Sequence, residues 1–194
     1  MPKLRKVAEA IRFAKQYALH PLQLGSPFRS KPELVEIITE AIQPKTEHII
    51  EFGPGDGILT RKLLNLGYKV TAVEINKLFY AKLASWNEPN LKTVSGNISE
   101  LNSLINSGQI TIADCLINGV PIGAIKNRDS FFTQVARITK GKYIHYSIQD
   151  LTKKLSKYFS KAISKKIGTR RLYTAEMKDY TRIEEKVNAT YKNC

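Results

Sequence analysis

Between residues 31 and 147, short apolar runs alternate with stretches whose apolar residues recur every three to four positions. The apolar runs predict strands at residues 48–52, 69–75, 91–95, 111–118 and 142–147. The periodic stretches predict helices at residues 31–42, 58–65, 77–85, 99–107 and 129–139. Several boundaries carry a local signal. Ser30 is a good N-cap residue, Pro32 and Glu33 suit a first helical turn, Gly67 closes the second helix, and Lys140-Gly141 ends the fifth. Strands alternating with helices argue an α/β fold with a doubly wound, mostly parallel sheet and helices on both faces.

Two further segments read as basic amphipathic helices. In residues 3–19, Leu4, Val7, Ala8, Ile11, Ala14, Ala18 and Leu19 follow helical spacing with basic residues between them, and His20-Pro21 ends the run. In residues 150–168, Leu151, Leu155, Tyr158, Phe159, Ala162, Ile163 and Ile167 form one stripe, and the lysines lie off it. Such a helix suits either a membrane interface or a core-packed position with a solvated lysine face. The repetition of the design at both ends favours the interface, with Lys153, Lys157, Phe159 and Lys161 as the contacting residues.

Composition adds a partner. The 194-residue chain is long enough to bury a real core, and its net charge of +14 calls for a polyanion, either nucleic acid or an anionic membrane surface. The positive charge concentrates in the N-terminal stretch and the C-terminal third, which divides one domain into residues 1–30, 31–150 and 151–194. No run of apolar residues would span a bilayer and no secretory signal is visible. Two cysteines, Cys115 in an apolar strand and Cys194 at the last position, have no metal-ligand spacing, so no metal is expected. These features suggest a reducing, cytoplasmic setting, peripheral to the inner face of the membrane.

The candidate chemistry lies between the first strand and the second helix, at Glu51-Phe52-Gly53-Pro54-Gly55-Asp56-Gly57. Glycines in a strand-to-helix turn let a ligand approach the main chain. The following helix directs N–H groups and partial positive charge at the turn. A dinucleotide fingerprint would place its third glycine where Ile58 stands. The acid opening the run would repel a pyrophosphate and attract a cation. The pattern E-x-G-x-G-x-G resembles motif I of the class I S-adenosylmethionine (SAM) methyltransferases, which have a Rossmann-like fold. The resemblance implies SAM as cofactor and S-adenosylhomocysteine as product. It implies Glu51 near the cationic methionine end, with Gly53, Gly55 and Gly57 making room. Glu74, about 20 residues on at a strand end, stands where a ribose-binding carboxylate is expected. Ile75 could press on the adenine ring or pack in the core. Asn97 could bond the adenine amino group or simply sit in a turn.

The fourth strand ends in Asn118-Gly119-Val120-Pro121-Ile122, at the edge that faces the transferring methyl in such folds. Adenine-N6 methyltransferases carry N-x-P-aromatic there; here the proline is displaced and the aromatic is missing, which argues against stacking a flipped adenine. The loop is similar to that of the soluble bacterial phospholipid N-methyltransferases, as are residues 13–30, the aromatic strand at residues 142–147 and a final hairpin at residues 170–187. This resemblance implies methyl transfer to the amine head group of phosphatidylethanolamine at a membrane surface. Asn118 would then both border the cofactor and orient the amine, Tyr146 would share its catalytic position, and Tyr17, Phe28, Tyr143 and Tyr146 would offer aromatic faces to the growing cation. His145 is a weaker proton acceptor. Two alternatives explain the charge as well: an rRNA adenine N6-methyltransferase-like enzyme, and a non-catalytic membrane- or RNA-binding protein with a SAM-binding fold.

Overall fold

The computed structural model describes residues 32–147, 150–167 and 170–177. The expected helix at residues 3–19, the loop with Tyr17 and Phe28, the cap at Ser30, Cys194 and the second half of the expected 170–187 hairpin lie outside the described residues.

The described chain begins with helix α1 (Pro32–Glu40), then runs β1 (His48–Phe52), α2 (Ile58–Asn65), β2 (Lys69–Glu74), α3 (Lys77–Ala84) and β3 (Leu91–Ser95). A short 3-10 turn and α4 (Leu101–Asn106) lead to β4 (Ala113–Asn118). A second 3-10 turn, Ile122–Ala124, precedes α5 (Arg128–Ile138), β5 (Thr139–Ser147), α6 (Thr152–Tyr158), β6 (Phe159–Ile167) and β7 (Arg170–Met177). The seven strands order as β3-β2-β1-β4-β5-β7-β6. β1 to β5 pair in parallel, and β7 runs antiparallel to both β5 and β6. The expected α/β class, doubly wound and mostly parallel, is therefore present. The strand order reverses between β1 and β4, and the crevice at the carboxyl ends of those two strands is where such sheets bind ligands.

Burial explains the near-continuous apolar strands. One face of the sheet packs Ile50, Phe52, Leu116, Tyr143, Phe159 and Tyr173 against α4, α5 and α6, with Phe132 of α5 at its centre. The other packs Ile49, Val70, Ala72, Ile117 and Ile144 against Leu34, Val35 and Ile38 of α1 and Leu59 and Leu63 of α2. Strands covered on both faces lose the alternation of a half-exposed sheet. Cys115 is fully buried, and burial pushes its thiol up to about 12, which makes it an inert filler.

The C-terminal segment departs from expectation. Residues 150–168 do not form one amphipathic helix: the helix stops at Tyr158, and Phe159–Ile167 is a strand paired with β7. The cause is visible in the spacing. Apolar residues four apart, such as Leu155, Phe159, Ile163 and Ile167, satisfy a helical turn and a strand's period of two equally well. The outer edge of β7 decides between them: residues 159–167 pair along it and cover backbone groups that would otherwise stay open. A bulge between Phe159 and Lys161 then turns Phe159 into the core. Phe159 is 1% exposed and stacks on Tyr143 with ring centroids 5.3 Å apart, so it does not meet a membrane. Lys153 and Lys157 remain exposed on α6, and Lys161 is exposed on β6, opposite Glu176. Phe159→Asp should therefore strongly destabilise the domain. Deleting a buried phenyl ring costs roughly 3–5 kcal/mol, and an unpaired buried carboxylate adds to that. Thermal melting should show a large drop; an unchanged midpoint would contradict the burial.

Candidate active site

The turn after β1 wraps three glycines around the sheet's carboxyl edge. Gly53, Gly55 and Gly57 all have positive φ, at 69°, 57° and 83°. Their surroundings differ. A Cβ on Gly53 would lie 2.6 Å from Cγ2 of Val120, and one on Gly57 would lie 2.4 Å from Cη2 of Trp86. Gly53 thus lets the loop after β4 close on the turn, and Gly57 lets α3 dock beside the start of α2. Behind Gly57, the Arg61 guanidinium lies 3.9 Å over the Trp86 ring and pairs with Glu88. At Gly55 a Cβ would meet nothing within 4 Å, so this residue faces open space. Gly57 is the N-cap of α2, and no side chain caps that helix.

Two acids meet beneath the turn. Glu51 is 3% exposed and accepts a 2.7 Å hydrogen bond from the Thr60 hydroxyl. Burial pushes its carboxyl up to about 7. The Thr60 bond pulls it down, and the charges of Glu74 and Asp56 push it up further. Glu74 accepts the Gly55 N–H at 2.9 Å through Oε2 and the Asn76 N–H at 2.8 Å through Oε1. Its carboxyl is also raised, chiefly by burial, and these backbone N–H groups oppose the shift. Glu74 thereby ties the glycine turn to the end of β2. Asn76 continues the chain of support by capping α3 with its side-chain oxygen. Two buried carboxylates beside an open, glycine-lined space and a bare helix start fit a ligand carrying both a cation and hydroxyl groups, as SAM does. Glu51 would attract its cationic end, Glu74 has lone pairs left for ribose hydroxyls, and Gly55 leaves room for the ligand.

Across the crevice, Asn118 ends β4 and is 1% exposed. Its Oδ1 accepts the Val120 N–H at 3.0 Å, and its Nδ2 donates to the Tyr143 hydroxyl at 3.2 Å. Its backbone carbonyl accepts from Nδ1 of His145 at 2.8 Å, which leaves Nε2 of His145 as the unprotonated nitrogen. That nitrogen is buried without a hydrogen-bond partner among the described residues, and burial lowers the ring's pKa to about 4. Gly119 donates its N–H to the Phe52 carbonyl at 2.9 Å, and a Cβ on it would sit 3.2 Å from two backbone oxygens of β1 and its turn. The glycine after Asn118 therefore serves the close seating of this loop on the motif I turn.

The structure brings Glu51, Gly53, Gly55, Gly57, Glu74 and Asn118 together at one edge. Ile75 is exposed just past Glu74, where it is free to contact a ring. Asn97 uses its side-chain oxygen to cap the Ser99 N–H at 2.9 Å, so its turn role is present. Two of the aromatic expectations change. Tyr143 is fully buried, and its hydroxyl is committed to Asn118, so it supports the loop instead of offering a face to substrate. Tyr146 packs with the cluster that contains Ile144, on the face of the sheet opposite Asn118 and His145, because side chains alternate along β5. The supporting residues Thr60, Asn76 and Trp86 went unnoticed in the sequence. Only Asn76, ahead of an apolar helix, carried a readable signal as a cap.

Residues 21–108 match the family model described as ribosomal RNA adenine dimethylase. The chain is 38% identical over 68 residues to ribosomal RNA small subunit methyltransferase A of Acidithiobacillus ferrooxidans, and 35% identical over 92 residues to that of Corynebacterium diphtheriae. These matches cover 34% and 47% of this chain but only 26% and 30% of those proteins. The chain thus spans about a quarter to a third of the curated relatives it matches. Among solved structures, it is similar to 1,6-didemethyltoxoflavin-N1-methyltransferase of Burkholderia thailandensis, with a TM-score of 0.60, 17% identity, and 92% and 91% of the two chains covered. A TehB-like SAM-dependent methyltransferase from Corynebacterium glutamicum aligns with a TM-score of 0.57 and 13% identity, over 89% of this chain and 99% of that one.

The fold is that of the class I SAM-dependent methyltransferases. The expected cofactor, SAM, stands with it. The phospholipid reading does not: the match to rRNA adenine dimethylase overturns it, and with it the membrane role. That reading leaned on short flanking segments and on a basic helix that is half strand. The match instead covers the cofactor turn and both of its acids.

The raised carboxyl of Glu51 gives a pH dependence whose sign follows from its cause. A cation held at Glu51 would favour the ionised form, so SAM seated there would displace a proton wherever Glu51 is protonated. SAM affinity should rise with pH up to about 7 and level off above it, with proton release on binding in the rising limb. The free protein should behave oppositely. A carboxyl raised from 4.5 to about 7 contributes stability below its unfolded value and loses it as pH rises through about 7. Calorimetry in two buffers of different ionisation enthalpy reads the released proton directly. A flat affinity profile with no proton release would separate Glu51 from the ligand's cation.

Proposed function

We propose that the protein is a SAM-dependent methyltransferase whose acceptor is the exocyclic amine of adenine in ribosomal RNA. The match of residues 21–108 to the rRNA adenine dimethylase model carries this reading, because the matched span contains the glycine turn, Glu51 and Glu74. The net charge of +14 suits a phosphodiester partner.

SAM supplies an activated methyl on a sulfonium when bound. The chain's own task is then positional. Glu51 and Glu74 fix the donor's two ends against the glycine turn. Asn118 stands across the crevice with its amide held in one orientation. Its Nδ2 donates one N–H to Tyr143 and its Oδ1 accepts from Val120, which leaves Oδ1 a second lone pair that would accept an N–H from the acceptor amine. Holding that N–H turns the amine lone pair toward the methyl, and the amine proton leaves to solvent after transfer. His145 works behind this arrangement, through its bond to the Asn118 carbonyl. The loop N-G-V-P-I lacks the aromatic of the N-x-P-aromatic pattern, so this loop itself offers the base no aromatic face.

The test is transfer of labelled methyl from SAM to small-subunit rRNA lacking the modification, with phosphatidylethanolamine vesicles in a parallel reaction. Label in RNA alone supports the proposal; label in lipid, or in neither, refutes it.

A further inference from the structure

The carboxyl edge of the sheet continues past the crevice onto β7 and β6. Four residues stand in line across the ladders: Asn118 opposite His145, His145 opposite Tyr173, and Tyr173 opposite Ser164. Neighbouring strands lie about 4.8 Å apart, which puts Ser164 roughly 14 Å from Asn118. Beyond Ser164, Lys166 and Arg171 are direct partners across the β6–β7 ladder. Alternation places both on the face that carries Asn118 and His145, and both lie toward the same sheet end. Lys166 is exposed; Arg171 is half-buried and donates through Nη1 to the Ser164 hydroxyl at 3.3 Å.

Like charges directly opposite one another on a ladder are destabilising. Other lysines of this segment are arranged to avoid that. Lys161 stands opposite Glu176, and Lys154 pairs with Asp129 at 3.4 Å. An edge strand gains protection from lysine at any exposed position, so edge protection does not require Lys166 to face an arginine on the inner strand. Asp150, exposed, is an acid that feels Arg171, and its carboxyl is mainly engaged by Thr152. Two cations and a hydroxyl thus converge on one face, about two to three nucleotide spacings from the acceptor position, with their mutual repulsion left for an anion to relieve.

We propose that Lys166, Arg171 and Ser164 form a docking site for a phosphodiester of the RNA substrate, on the nucleotides flanking the target base. This rests on the rRNA methyltransferase reading above and adds where the strand runs: from Asn118 across β5 and β7 to the β6 edge. The site holds the backbone and carries no sequence information, so it contributes to affinity and register.

The experiment uses the full chain and a small-subunit rRNA transcript as probe. It compares wild type with the Lys166→Gln/Arg171→Gln double variant in a salt series. KM for RNA should rise about tenfold or more at moderate salt, with kcat at saturating RNA and SAM affinity unchanged. The slope of log affinity against log salt should fall in magnitude by about 1, for the one phosphate no longer neutralised. Lys166→Gln alone, at an exposed position with little risk to folding, should give about half that change in slope. Lys161→Gln should match wild type in RNA affinity. If wild type methylates the RNA and the double variant does so with the same KM and slope, this site falls and the functional reading stands. If wild type neither binds nor methylates the RNA, both fall. Phosphatidylglycerol vesicles that bind through Lys166 and Arg171, while RNA binding ignores them, would reassign the site to a lipid phosphate and overturn the proposal.

Discussion

Gly55→Val is expected to abolish SAM binding and leave the domain folded. Gly55 has φ of 57°, and a side chain built on it points into open space beside Glu74. Valine there would fill the space the ligand needs. It would also strain the turn, because a branched side chain fits the left-handed region poorly, at a cost of roughly 1–2 kcal/mol. A domain stable by about 5–15 kcal/mol survives that. Gly53 and Gly57 would not give so clean a result. Side chains at those positions collide with Val120 and Trp86, so their loss confounds binding with packing. Calorimetry should find no SAM binding in Gly55→Val, alongside a cooperative melting transition only a few degrees below that of wild type. Wild-type affinity in this variant would mean that the open side of the turn is not the ligand site.

Asn118→Ala should have the second largest effect, and on a different step. The side chain makes its hydrogen bonds to Val120 and Tyr143 and none to the glycine turn among the described residues. Removing it leaves SAM affinity close to wild type and takes away the acceptor that orients the amine. Losses from misplacing a reacting group run to about a hundredfold, so kcat should fall by about that factor or more. The variant also leaves the Val120 N–H without its partner, a cost of roughly 1–3 kcal/mol, which a melting curve should register. An active Asn118→Ala enzyme would remove this residue from the reaction. If SAM binding disappeared together with turnover, Asn118 would belong to the cofactor site.

The two outcomes separate because the residues come from different strands. That separation was legible in the sequence. The spacing of Glu51, three glycines and Glu74 placed two acids and a turn at one sheet edge, and the structure puts them there, tied by the Gly55–Glu74 bond. The alternating helices and strands up to Ser147 were equally legible, since parallel strands buried on both faces read as plain apolar runs. What followed β5 was not. A four-residue apolar spacing fits both a helix and a strand, and only the pairing with β7 resolves it. Tyr143 and Tyr146 looked alike in the sequence, yet alternation sends them to opposite faces and gives one of them to Asn118 as a support. The substrate was the least legible feature. A high positive charge fits lipid and RNA alike, and the loop after β4 follows no motif closely. The shared span of residues 21–108 is what directs the reading to RNA.

The most direct measurement is the identity of the methylated nucleoside. Small-subunit rRNA lacking the modification is incubated with the protein and labelled SAM, digested to nucleosides and separated by chromatography, with Asn118→Ala in parallel. The expected result is label in N6-methylated adenosine, absent or strongly reduced in the variant. Label in any other nucleoside, or RNA left unlabelled by an enzyme that binds SAM, would contradict the account.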